Sequence, residues 1–431
     1  MRRKTISRLA VAAAAALMLS ACGSGGDGGS GDDKTVTLRM TYWGSDTRAD
    51  LTNQVIAAFE KENPTIKVEG EFKDWDGYWD ALATSTAAKD SPDVIQMDEL
   101  YLASYADRGA LLDLNDQSGI DKSNFDDSAL ATGQLDGKQY AMPVGVGAMS
   151  VIINTDLFKK YGVAIPDDTT WTWDDLGKVA KEITDKSKGA VHGLATGQGY
   201  DAFSIKYWAR QHGEELFDQD GNVAVSPETV ASMWENTMSF IDSGAAVPAS
   251  TMVEDLAAGV AAGSFATGKA AMIFQYNTQA TGINGTLNGN LQLLQPPLAE
   301  GQTEDANFLK PSMFWAISSQ SDHPAEAAKF IDFLLNSPEA AEILKTERGI
   351  PANKEMLAKV QGTLEGTDKL AADYLSTVKV GDAPAVTPNG GSGLEPMLQR
   401  YTQEVYAKKQ SPEDAAKAFI KELQGEIDAA K

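Results

Sequence analysis

Cysteine is almost missing from this chain of 431 residues: Cys22 is the only one. No internal disulfide can form, so the folded body must rest on packing. Histidine is scarce too, and His192, His212 and His323 are too scattered for a zinc site or a histidine-based catalytic centre. Positive charge is in deficit. Lys and Arg number 37 against 61 Asp and Glu, a formal net charge of −24, which leaves no basic footprint for nucleic acid or an anionic membrane. G-x-S-x-G elbows, phosphate-binding Walker loops and H-E-x-x-H helices are all absent, which removes three familiar hydrolytic chemistries. What is there is ordinary for a globular protein. Hydrophobic residues make up 42% and charged ones 23%, so wholesale disorder is excluded. A chain this long exceeds one simple core, and about 100–200 residues per domain predicts two domains.

The longest apolar run, Leu9 to Leu19, follows Arg2, Arg3, Lys4 and Arg8. It is shorter than the roughly 18–20 residues that span a bilayer, and reads as the core of an export signal. Removing residues 1–21, with their four positive charges, would take the net charge from −24 to −28. The run ends Leu19-Ser20-Ala21-Cys22 and leads into a Gly/Ser-rich stretch. This resembles the lipobox of bacterial lipoproteins, with Cys22 as the lipidation site and residues 22–34 as a flexible tether. Gly23 to Gly28 formally matches G-x-G-x-x-G, but no strand precedes it and no helix follows, so it is not a nucleotide loop.

From Thr35 strand and helix patterns alternate. Val36–Tyr42 reads as a strand, and Leu51, Val55 and Phe59 form a helical stripe that Pro64 ends. Ile66–Phe72 returns to strand, a helix covers Tyr78–Ala88, and Asp93–Met97 is a short buried strand before another helix. Repeated βαβ units predict a mostly parallel sheet covered on both faces. Thr172 with Asp175 predicts a capped helix start, and Pro227, Pro324, Pro338 and Pro412 each open a helix. No repeat of 20–50 residues is present, which excludes a solenoid.

Taken together, Phe59–Val68, Ser91–Ile95, Tyr105–Leu114, Gly137–Pro143, Asn154–Phe158, Thr170–Trp173, Gly268–Met272 and Pro324–Pro338 followed by Arg348–Pro351 resemble the sugar-type extracellular solute-binding proteins (family 1) of bacterial ABC importers. Trp43–Arg48 and Asp74–Trp79 are similar to a branch that imports oligosaccharides. The resemblance implies an α/β, two-lobe periplasmic-binding-protein-like fold of type II, sugar-binding cluster, with a ligand cleft between lobes and several hinge crossings. Mapped onto this chain, one lobe comprises residues 35–143 and 309–348, and the other 144–308 and 349–431. The expected protein is not an enzyme and takes no cofactor and no metal. It would be a monomer, exported and held on the outer face of the membrane by lipid on Cys22. Its partners would be a mono- or oligosaccharide and the transmembrane subunits of an ABC permease.

A sugar offers apolar C–H faces to aromatic rings and a rim of hydroxyls to carboxylates and amides. Ligands in open α/β sheets lie beyond the carboxyl ends of strands, which selects the candidates. After the first strand come Trp43, Asp46 and Arg48, although Trp43 also suits a core and Asp46 a helix cap. After the third come Asp98 and Glu99, which would equally suit a solvated helix start. Trp75 and Trp79 lie four apart, and Trp75 is the one expected to face the cleft. Tyr200 and Asp201 sit in the glycine-flanked loop from Gly197, a segment that the resemblance places at the cleft; Tyr276 and Asn277 follow another strand. Of Phe314 and Trp315, which alternate faces if they lie in a strand, Phe314 is assigned to the cleft. Trp171, Trp173, Trp208 and Trp234 are expected to be structural. Asp218–Asn222 faintly echoes a calcium loop, but its misplaced glycine favours a turn. Two rivals remain open: a lipid-anchored glycoside hydrolase using Asp98 or Glu99 against Asp201, and a sugar sensor with no transport role.

Overall fold

The alternation in the first strand is realised in β1 (Val36–Trp43), where Leu38, Met40 and Tyr42 enter the core. The computed structural model describes residues 35–431 apart from 196–197, 302–305 and the side chain of Asp76. The export signal, Cys22, the tether and Gly197 therefore lie outside the described residues. After β1 come β2 (Ile66–Lys73) and β3 (Val94–Met97), the short hairpin β4 (Gln134–Leu135) and β5 (Lys138–Gln139), then β6 (Met142–Gly147). The hairpin turns at Asp136-Gly137 with positive φ at both residues, 51° and 75°, the backbone that Asp-Gly favours. The remaining strands are β7 (Met149–Asn154), β8 (His192–Leu194), β9 (Ala270–Tyr276), β10 (Leu291–Leu294), β11 (Lys310–Ile317) and β12 (Ile350–Pro351).

Two principal sheets result. The first runs β12-β6-β11-β3-β1-β2 and the second β10-β7-β9-β8. The expectation of a mostly parallel sheet is corrected: β1 is parallel to β2 and β3, but β11 is antiparallel to both β3 and β6. In the second sheet only β8 and β9 are parallel. The sheets also divide the chain at points other than those expected. β6 continues in the first sheet to Gly147, past residue 143, and Ile350 pairs with Val146, which brings β12 into the first sheet. Pairing with β12 covers the otherwise open edge of β6.

Both faces of the first sheet are buried. One carries Leu38, Val94, Trp315 and Ile317 beneath the helices Asp46–Glu62 and Pro324–Asn336, where Phe59 meets Phe330 with ring centroids 4.9 Å apart. The other carries Ile95, Met97, Phe314 and Ala316 with Tyr78, Trp79 and Leu82 of the helix Trp75–Ala87. The second sheet shares a core with the helices Trp173–Lys186, Ala202–Gln211, Pro227–Ser243, Leu394–Tyr406 and Pro412–Ala430. Thr172 and Asp175 form the expected capping box, and Asp218 closes a turn by accepting from the N–H groups of Asp220 and Asn222. Trp234 is buried with its indole donating to Thr402.

The chain passes from the first sheet to the second between β6 and β7. Asn277 Oδ1 accepts from Ala148 N–H at 2.9 Å, and its Nδ2 donates to the Ala371 carbonyl at 2.9 Å. Asn307 similarly takes both the N–H and the carbonyl of Met149. Gly147 is required here, since a Cβ would stand 2.9 Å from Asn277 Oδ1. Two buried amides thus fasten the crossing between the sheets.

Candidate functional site

At the carboxyl end of β1, Trp43 meets Trp75 edge-on with ring centroids 5.0 Å apart, and Trp79 at 5.8 Å. Tyr101 stacks on Trp79 at 3.8 Å. Asp74 caps the helix Trp75–Ala87 through Gly77 N–H, which begins the helix earlier than expected and leaves Trp75 on its first turn, 38% exposed. The two predicted tryptophans therefore do come together. Asp46 and Arg48 are placed otherwise. Asp46 is exposed on the first helical turn, which Ser45 caps instead. Arg48 is committed within its own lobe: its Nε lies 2.6 Å from Glu347 Oε1, and its Nη1 donates to the Trp43 carbonyl at 3.1 Å.

Beyond β3 the site becomes ionic. Asp98 caps the helix Glu99–Asp107 by accepting from Leu100 N–H at 3.0 Å. Glu99 lies 3.5 Å from the Lys310 ammonium, which sits 5.6 Å from the centre of the Tyr276 ring. Asp201 caps the helix Ala202–Gln211 through Ser204 N–H at 2.7 Å, and Glu395 accepts from Ala202 N–H at 3.2 Å. Burial pushes Asp98 up to about 6 against the pull of Lys310, with Glu99 repelling its charge. Burial would raise Glu99 as well, but Lys310 and Lys206 outweigh it and hold it below the ordinary range. Burial raises Asp201, and burial together with the Asp201 charge raises Glu395. The Lys310 ammonium is disfavoured by burial, yet Glu99, Asp98 and Glu395 more than restore it. Carboxylates from both lobes thus converge on one lysine.

Lys310, Glu395 and Lys206 were missed by sequence reasoning restricted to the carboxyl ends of strands. An antiparallel strand brings its amino end to the same edge, and Lys310 opens β11. No comparable signal marks Glu395, which lies on the first turn of the helix Leu394–Tyr406.

Behind Asp201 the second lobe holds a cavity of about 150 Å³. Trp173, Phe203, Tyr207, Phe265 and Phe274 supply aromatic walls, and Gln198, Tyr200, Asp201, Asp255 and Gln275 supply polar groups. Trp173 has the structural role expected, its indole donating to Gln211 at 2.8 Å, and it also lines this cavity, stacked on Phe274 at 5.2 Å. Tyr276 packs edge-on against Phe203 at 5.7 Å. The Tyr200 hydroxyl is buried with no hydrogen-bond partner among the described residues.

Two expected site residues are corrected. Phe314 is 0% exposed, because helices cover both faces of a central strand and leave neither of its faces to a cleft. Asn277 is also 0% exposed, and its amide is spent on the crossing. Among the described residues no three His, Cys, Asp or Glu side chains are grouped to hold a metal ion. Aromatic faces with clustered hydrogen-bond acceptors suit a small polar ring compound.

The model of the bacterial extracellular solute-binding protein family matches residues 44–341. The chain belongs to that family. Within it, a putative binding protein of Brucella abortus is 26% identical over 385 residues, covering 87% of this chain and 88% of its own length. The diacetylchitobiose binding protein DasA of Streptomyces coelicolor is 26% identical, with 97% of each chain covered. A solved structure of a family 1 extracellular solute-binding protein from Alicyclobacillus acidocaldarius is 25% identical at a TM-score of 0.74, covering 91% of this chain and 99% of that one. The two-sheet architecture of this solute-binding protein is thus that of the family.

Proposed function

We propose that this solute-binding protein is the lipid-anchored, monomeric substrate-binding component of an ABC-type carbohydrate importer. It captures a sugar or oligosaccharide by hinge closure and delivers it to the membrane permease. The observation that carries the reading is the aromatic-walled cavity of about 150 Å³, with Asp201 in its wall and next to a cluster of carboxylates drawn from both lobes. A cavity of this size admits one six-membered ring, and a rim of carboxylates and amides discriminates among hydroxyl patterns because an unmatched buried acceptor is costly. The relative named for binding diacetylchitobiose, aligned over nearly its full length, supports a saccharide ligand. The amides of Asn277 and Asn307 hold the strand crossing about which the lobes would close.

One observation favours a second reading. Asp98, pushed up to about 6, has the protonation range of a glycosidase general acid. Calorimetry with a saccharide panel and product analysis of the same mixtures separates the two. Binding at micromolar Kd or tighter without cleavage is expected, and detected hydrolysis would overturn the importer reading. Labelled lipid on the wild-type protein and its loss in Cys22→Ala would test the anchor.

A further inference from the structure

The polar chemistry of the cavity is one-sided. Asp201 and Asp255 both line it, and among the described residues no Lys, Arg or His does. Asp255 is fixed by one oxygen only: Oδ1 accepts from the backbone N–H and the hydroxyl of Ser264, each at 2.9 Å. Its Oδ2 is buried with no partner among the described residues. Tyr200, 6% exposed and also lining the cavity, has its hydroxyl without a partner among the described residues. Nearby, Lys310 is shared among Glu99, Asp98, Glu395 and Asp201, so little positive charge remains for an anionic guest. A buried carboxylate oxygen without a partner, as Asp255 Oδ2 is, is costly unless something pairs with it, and aromatic walls attract an ammonium through their ring faces.

We infer that the cavity selects a saccharide bearing a protonated amine, a cationic amino sugar, with its ammonium on Asp255 and Asp201 and Tyr200 accepting from it or from a ring hydroxyl. This rests on the carbohydrate reading above and narrows it. A uronate would place like charges together, which disfavours it. A neutral sugar would leave the Asp255 charge unpaired. Arg48, one cation that could have reversed this preference, is held by Glu347.

The test is calorimetry of the full chain with four disaccharides at a pH that keeps amines charged: a β-1,4-linked glucosamine disaccharide, its N,N′-diacetyl form, cellobiose and digalacturonate. The glucosamine disaccharide is expected to bind about tenfold or more tightly than any of the others. Asp255→Asn should remove most of that preference, because Asn keeps the acceptor for Ser264 but not the charge. Asp201→Asn, which preserves the helix cap, serves as the second variant, and unfolding midpoints confirm that both fold. Equal or tighter binding of the diacetyl, neutral or acidic disaccharide overturns the inference while leaving the carbohydrate reading standing. An amine preference that survives both substitutions overturns the site. Failure of every disaccharide to bind overturns the carbohydrate reading and this inference with it.

Discussion

Two aromatic regions, one in each lobe, are built on opposite plans. Around Trp43 the rings of Trp75, Tyr78, Trp79 and Tyr101 pack on one another at centroid distances between 3.8 and 6.3 Å. In the second lobe Trp173, Phe203, Tyr207, Phe265 and Phe274 surround a space into which polar atoms without partners are set. The first region is a stack that fills its own space, with one buried donor, Trp79 Nε1, left without a partner among the described residues. The second is a cage that leaves a space and unpartnered acceptors. Aromatic density by itself therefore does not make a cavity, and a ring-sized space with unmatched acceptors in its wall is what a polar ring compound would need.

The largest expected difference is in stability. Trp79→Ala should cost about 3–5 kcal/mol, the usual penalty for emptying a buried tryptophan position, and lower the thermal midpoint, because Trp79 contacts four other rings of the first region. Calorimetric unfolding checks it, and a wild-type midpoint would mean that the stack is not structural. Next comes Asp98. Its carboxyl titrates higher folded, at about 6, than unfolded, near 3.9, so the folded state holds the proton more tightly. The stabilisation is complete below the unfolded value and is lost as pH rises through about 6, an effect of roughly 2–3 kcal/mol. Asp98→Asn should flatten this slope in urea melts taken across that window.

Smaller again is the effect of Tyr276→Ala, expected to weaken saccharide binding by about 1–3 kcal/mol, measured by calorimetry. Tyr276 links the cage to the ionic cluster through Phe203 and Lys310. Trp43→Ala should weaken binding less than Tyr276→Ala does. The reverse order would move the site to the first region. Asp46→Ala closes the series, with stability and binding both within about 0.5 kcal/mol of wild type, as for an exposed residue outside any special contact.

Local chemistry was legible in the sequence and tertiary coverage was not. Leu38, Met40 and Tyr42 announce β1 by alternation, and Thr172 with Asp175 announces a helix start, because both patterns are set by near neighbours. Tyr200, Asp201 and Tyr276 are strand- and loop-end residues that the fold does bring to one place. Phe314 was misplaced because alternation within a strand says nothing about whether one or both faces will be covered. Asn277 was misplaced because an amide beyond a strand can serve a ligand or the backbone alike, and here Ala148 and Ala371 take it. Lys310 escaped notice because its strand runs antiparallel. Asp255 escaped because its significance lies in one unpaired oxygen, which no spacing reveals.

The contrast between stack and cage is tested most directly by a crystal structure of the protein with the tightest-binding saccharide of the panel. A pyranose ring between Phe203, Trp173 and Tyr200, within hydrogen-bond reach of Asp201, is the outcome expected. A ring lying on Trp43 and Trp75, with the cavity behind Asp201 unfilled, would contradict it.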